Sequence, residues 1–229
     1  MAKQNFHRLY VWEWPVRIYH WLTAAAMVVL AATGLIIGAP VALQTTREAY
    51  ANYWFGTVRY LHFAAAWIFF WMFVLRMYWL IVGNRFSNWR VFFPIGQFGA
   101  FFRNLWAVIR TDILEVVKRP LDFVGHNPLA AMSYTGVFIL SLFQIATGFA
   151  LYAPMSQSRI PQLFTWVMPL FGSDATMRMW HHAGTWAFIV FVGIHVYLVM
   201  YHEVVEASGE VSSMVGGSRF VERPAEQHR

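Results

Sequence analysis

Polar residues are sparse in this chain and gather into clusters, leaving four long apolar runs. They extend approximately from Ile18 to Gly38, Val58 to Gly83, Pro128 to Tyr152 and Ala175 to His202. Each holds about 20 residues or more, which at 1.5 Å per residue is enough to cross the roughly 30 Å hydrocarbon layer of a membrane. In lipid a backbone must satisfy its own N–H and C=O groups, so apolar runs of this length predict transmembrane helices. Between the second and third runs, Phe98 to Val117 mixes Phe101, Phe102, Leu105, Val108, Ile109, Leu114 and Val116 with Arg103, Arg110, Asp112 and Glu115. That mixture predicts an amphipathic helix lying on the cytoplasmic face. Gly125-His126-Asn127-Pro128 is a helix-entry sequence. Pro154, Pro161 and Pro169 make the connection from Ala153 to Asp174 irregular or built of short helical turns. No shift in composition marks a domain boundary. The expected fold class is all-α, an integral membrane four-helix bundle with that surface helix, and residues 1–229 are expected to form a single domain.

Composition agrees: 59% of the 229 residues are hydrophobic and 12% charged, with 12 Trp and 21 Phe, too little polar surface to cover a soluble domain. The formal net charge of +6 is explained by where the cations fall. Lys3, Arg8 and Arg17 precede the first run; Arg85, Arg90, Arg103, Arg110, Lys118 and Arg119 lie between the second and third; Arg219, Arg223 and Arg229 lie in the tail. The other two connections hold only Arg47, Arg59, Arg159 and Arg178. This asymmetry places both termini in the cytoplasm and removes the case for a nucleic-acid partner. Trp12 and Trp14 are candidate interfacial anchors. Cysteine is absent, which excludes protein-ligated iron–sulfur clusters, disulfides and covalently attached haem. Reading the first run as a signal peptide is disfavoured, because it is long for one and cleavage would remove His20.

Four histidines sit within the apolar runs: His20, His62, His181 and His195. His181 and His195 are 14 residues apart, which returns to nearly the same helix face roughly 21 Å further on. With the N-terminus inside, the helices alternate in direction. His20 and His195 then share the inner level, and His62 and His181 the outer level. Ionisable side chains in a membrane are costly and mark function by default. One four-histidine metal centre is excluded by the separation. A zinc or copper ion at either level would need more than two imidazoles, and no Asp or Glu stands near to complete the set. Haem meets the constraint, since the porphyrin supplies four nitrogens and the protein two axial imidazoles. The competing reading for each histidine is a core residue satisfied by a backbone or hydroxyl neighbour.

Arg17, Arg59 and Arg178 each precede one of these histidines by three residues. On a shared helix face each is a candidate partner for a haem propionate, against the alternative of simple snorkelling. Gly34 and Arg76 follow His20 and His62 by 14 residues. Gly34 is expected either to let the outer haem approach the backbone or to permit close helix packing. Arg76 is expected to contact the inner propionates or to snorkel. His182, adjacent to His181, points about 100° away, which favours His181 as the ligand. Ala-Thr-Gly occurs at 32–34 and again at 146–148, too short to claim as a repeat.

The segments Arg17-Ile18-Tyr19-His20-Trp21-Leu22 with Thr33-Gly34, and Trp180-His181-His182-Ala183-Gly184-Thr185-Trp186 running on to His195-Val196-Tyr197, resemble the b-type cytochrome subunit of membrane-bound nickel–iron uptake hydrogenases. Arg59-Tyr60-Leu61-His62, Gly83-Asn84-Arg85, Gly125-His126-Asn127-Pro128 and Met214-Val215-Gly216-Gly217 are similar as well, while the tail after Tyr201 matches less well. The resemblance implies two non-covalent b haems, the inner on His20 and His195 and the outer on His62 and His181. It implies partners on the periplasmic face of a bacterial inner membrane: an iron–sulfur small subunit and a nickel–iron large subunit. Electrons from hydrogen would travel to the outer haem, the inner haem and then a quinone. The chain itself would be a membrane anchor and electron-transfer subunit, not catalytic on hydrogen alone. His126, Asp122, His202 and Glu203 are weak candidates for supplying quinone protons. The alternatives are the cytochrome b subunit of a formate dehydrogenase or thiosulfate reductase, a stand-alone di-haem membrane oxidoreductase, and a transporter or channel with structural histidines.

Overall fold

A computed structural model describes residues 6–40, 52–92, 99, 103, 106, 128–204 and 209–222. Four long helices dominate: α1 (Trp14–Gly38), α2 (Trp54–Val82), α3 (Pro128–Tyr152) and α4 (Asp174–Val204). All four are long and apolar enough to cross a membrane. The first two begin at Trp14 and Trp54 rather than at Ile18 and Val58, because the interfacial turn carrying Trp and Arg is helical although hydropathy does not count it. Outward-facing apolar side chains such as Trp71, Ile81, Ile139, Val190 and Ile194 stay exposed, as a lipid-facing surface requires. The surface helix expected over Phe98–Val117 lies outside the described residues apart from Gly99, Arg103 and Trp106, which are helical. The proline-rich connection is made of short helical turns, Ala153–Met155, Arg159–Gln162 and Thr165–Phe171. It ends at Gly172, whose φ of 73° suits a residue without a side chain.

The chain groups into two compact units. One comprises Tyr19–Leu75 and Val137–Ile194. Its core is Ala26, Phe69, Ile145, Phe149 and Phe188, with Leu30, Trp67, Phe70, Tyr152 and Phe164 packed around them. Ring contacts set the helix directions: Phe63 meets Tyr152 at 4.5 Å and Trp67 meets Phe149 at 5.1 Å, so α2 and α3 run antiparallel. The turns after α3 add a second cluster, in which Val167 packs with Ala150 of α3 and the fully buried Met177 in the first turn of α4.

The other unit comprises Met1–Ile18, Arg76–Gly136 and His195–Arg229. Here a short strand β1 (Phe6–Tyr10) pairs antiparallel with β2 (Ser218–Glu222), Phe6 opposite Glu222 and Tyr10 opposite Ser218. The pairing brings the N-terminal and C-terminal strands side by side. A short helix α5 (Glu210–Gly216) leads into β2 through Gly217, φ 83°. The Gly217 carbonyl accepts from the Val11 and Trp12 N–H groups at 2.9 and 3.0 Å, and the Trp12 indole donates to Ser213. A Cβ on Gly217 would lie 2.9 Å from the Trp12 carbonyl, so glycine is required there. Glu13 completes the unit: its Oε2 accepts from the Trp79 indole (2.9 Å), the Asn84 N–H (2.9 Å) and the Ser87 hydroxyl (3.3 Å). The Asn84 amide donates to the Val11 carbonyl. Chain entry, the end of α2 and the C-terminal strand are thereby tied together by polar bonds, each worth about 1 kcal/mol net and more to leave unmade.

Candidate haem site

His62 lies on α2 and His181 on α4, and their common level follows from a contact further along. Phe69 and Phe188 each stand seven residues after one of these histidines, and their rings are 6.2 Å apart, edge to face. Gln144 reaches Thr185 across from α3, one turn from the Thr147–His181 contact, so α3 and α4 are antiparallel and α2 and α4 parallel. Two turns back from Phe69 and Phe188, each about 10.5 Å, both histidines arrive at one depth.

Each imidazole is held in the same way by a Thr-Gly pair on the preceding helix. Thr33 on α1 places its hydroxyl 2.9 Å from His62 Nδ1, and Thr147 on α3 places its hydroxyl 2.8 Å from His181 Nδ1. The hydroxyls also reach a carbonyl one turn back in their own helices, Val29 at 2.6 Å and Phe143 at 2.8 Å. A carbonyl has no proton to give, so each threonine spends its single O–H there and must accept from the ring. Nδ1 therefore carries the ring proton in both histidines, and Nε2 keeps its lone pair for a metal. Thr147 is 1% exposed and Thr33 7%, so neither bond competes with water.

The glycines that follow make room for the rings. A Cβ on Gly148 would stand 3.0 Å from His181 Cε1, and one on Gly34 3.4 Å from His62 Cε1. What lies over Gly34 is thus the His62 imidazole. Gly38 faces His182 instead, at 2.8 Å from a Cβ to its Cε1, without an accompanying threonine. One turn deeper, Gln144 Oε1 is buried with no hydrogen-bond partner and lies 2.8 Å from where a Gly184 Cβ would be.

The remaining candidates are placed as follows. His20 on α1 stands edge-on to Trp21, with ring centroids 5.0 Å apart. His195 lies on α4 with its side chain exposed. Arg59 donates to Met155 Sδ at 3.3 Å and sits over the Phe63 ring. Arg178 forms an exposed pair with Asp174 at 2.7 Å, one turn before it. Arg17 donates to the Val215 carbonyl and lies over Trp14. Arg76 is 3% exposed, donates to the Ser87 carbonyl at 2.9 Å and to the Tyr134 hydroxyl, and covers the Tyr134 ring. Thr33, Thr147 and Gly148 are the members of the site that sequence reasoning passed over, although the repeated Ala-Thr-Gly was their signal.

Among the described residues no three His, Cys, Asp or Glu side chains converge as a metal-ion site. Two imidazoles at one depth, each with Nε2 unprotonated and a glycine cradle for its ring, fit the axial positions of a haem. Four apolar helices, two of which carry such histidines, define a class, the helical membrane cytochromes. A family model described as prokaryotic cytochrome b561 matches residues 11–217, and the chain belongs to that family. A protein of Azotobacter vinelandii named as a probable Ni/Fe-hydrogenase B-type cytochrome subunit is 40% identical over 215 residues, 93% of this chain and 88% of the relative. A Cupriavidus necator protein of the same name is 41% identical over 214 residues, 92% of this chain and 86% of its own. An Escherichia coli K12 relative, named for Ni/Fe-hydrogenase 1, is 37% identical over 214 residues, 92% and 90% of the two chains. The chain is a membrane electron-transfer protein of the b-cytochrome kind.

Proposed function

We propose that the chain is the membrane anchor and electron-transfer subunit of a nickel–iron hydrogenase, carrying electrons from hydrogen to the quinone pool and acting as one di-haem domain over residues 1–229. Haem b bound to it supplies reversible one-electron chemistry. His62 and His181 hold one group through Nε2; the observation that carries this is their shared depth together with matched threonine bonds on Nδ1. His20 and His195 hold the second, on the strength of topology and of the 14-residue step from His181 to His195, about 21 Å along α4. With two imidazoles to hold each group, the arrangement would suit electron transfer rather than oxygen chemistry.

Arg59 and Arg178, one turn before His62 and His181, are assigned to the carboxylates of the first group. Arg178 is free enough to serve: its pair with Asp174 is solvent-exposed, and such pairs contribute only about 0–1 kcal/mol. Arg17 and Arg76 are assigned to the second level, although both already bind carbonyls of their own unit. The names of the relatives support a Ni/Fe hydrogenase as the partner, and within it we assign an iron–sulfur small subunit and a nickel–iron large subunit. The charge asymmetry supports a bacterial inner membrane location, termini in the cytoplasm and docking of the hydrogenase at the periplasmic level of His62 and His181. The test is reduction of the cytochrome in membranes holding the intact complex. Hydrogen is expected to reduce it and formate to leave it oxidised; reduction by formate alone would overturn the assignment.

A further inference from the structure

Ala-Thr-Gly occurs once near the end of α1 and once in α3, and each copy meets a histidine near the start of the following helix. The two copies agree in their threonine and glycine geometry, while His62 has in addition a hydrogen bond to the Leu30 backbone. Each threonine oxygen lies within hydrogen-bond reach of the carbonyl four residues back and 3.4 Å from the one three residues back, Leu30 in α1 and Gln144 in α3. Each following glycine faces Cε1 of the same ring. His182, beside one of these histidines, packs on Gly38 alone.

We propose that Thr33 and Thr147 are positioning residues that fix the tautomer and rotation of the two axial imidazoles and set the electron richness of Nε2. This rests on His62 and His181 being ligands of one haem. An imidazole that donates through Nδ1 gives more electron density through Nε2, which stabilises the oxidised metal and lowers its potential. Loss of such outer partners typically weakens metal binding on the order of 10–100-fold. Because both rings would serve one haem, losing either threonine is expected to act on the same redox component.

The experiment uses the cytochrome purified within its complex from membranes, comparing Thr33→Val, Thr147→Val and the matching Thr→Ser variants. The readouts are haem-to-protein ratio, potentiometric titration and the low-spin ferric resonance. Both valine variants are expected to raise the midpoint of one and the same component, weaken its haem retention about tenfold or more, and leave the other component unchanged. Serine, which keeps the hydroxyl, is expected to restore all three. Should a valine variant lose the haem altogether, recovery with serine supports the proposal, and equal loss with serine overturns it, since shape would then be what matters. Unchanged potential and resonance in both valine variants also overturn it. The underlying ligand assignment fails separately, if His62→Ala and His181→Ala both retain two haems.

Discussion

The unit holding His62 and His181 and the unit holding both chain ends are each marked by sequence motifs, yet the motifs do different work. In the first, a threonine and a glycine leave one imidazole nitrogen uncommitted and clear space beside the ring. In the second, several polar groups are consumed by one another, although Arg17 Nε is buried without a partner among the described residues. Glu13 is shared by Trp79, Asn84 and Ser87, Arg76 by Ser87 and Tyr134, and Gly217 by Val11 and Trp12. Gly83-Asn84-Arg85 and Met214-Val215-Gly216-Gly217 thus belong to a clamp. A motif shared with a family does not of itself mark a cofactor; what marks the first region is an imidazole nitrogen kept free beside a glycine.

The sharpest way to break this comparison is to remove ligands. His62→Ala or His181→Ala is expected to abolish one haem component and hydrogen-driven reduction, whereas His20→Ala or His195→Ala spares hydrogen-driven reduction of the first. Visible spectra of membranes under hydrogen check both. Next in size is the clamp. Glu13→Ala strands the Trp79 indole and the Asn84 N–H, each costing about 1–3 kcal/mol if left unsatisfied, while the Ser87 hydroxyl keeps Asn84 Oδ1 at 3.1 Å. Thermal unfolding of the purified complex is expected to move to lower temperature with both haems still present, and haem loss in the folded variant would count against the division.

Smaller effects sharpen the picture within the haem unit. Gly148→Ala, with its Cβ 3.0 Å from His181 Cε1, is expected to shift the haem spectrum, whereas Gly34→Ala, at 3.4 Å from His62, meets only ordinary contact and is expected to change little. The smallest change is expected from His182→Ala. Haem quantification is expected to find the full complement there, and a missing haem would exchange the roles of His181 and His182.

Much of this was legible in the chain itself. Twenty-residue apolar runs announce membrane helices because lipid leaves the backbone no other partner, and the helix rise converts the step from His181 to His195 into a depth. The threonines were not legible. Thr33 and His62 are 29 residues apart on different helices, so their bond needs the packed bundle, and Ala-Thr-Gly alone reads as small-residue packing. The strands escaped notice for a similar reason. Phe6–Tyr10 and Ser218–Glu222 are five residues each, their partner lies at the opposite end of the chain, and the Gly216-Gly217 turn signal leads from a helix into the second rather than closing a hairpin. Glu13 reads as one interfacial charge until the end of α2 is seen to close over it.

The most direct test of the central claim, that His62 and His181 serve a single haem, is haem stoichiometry with redox titration across single and double variants. His62→Ala, His181→Ala and the double variant are expected to lack the same one component and keep the other, while His20→Ala combined with His62→Ala loses both. If the two single variants lose different components, or the His62→Ala/His181→Ala double variant loses two haems where each single loses one, the two imidazoles do not share an iron and the account is contradicted.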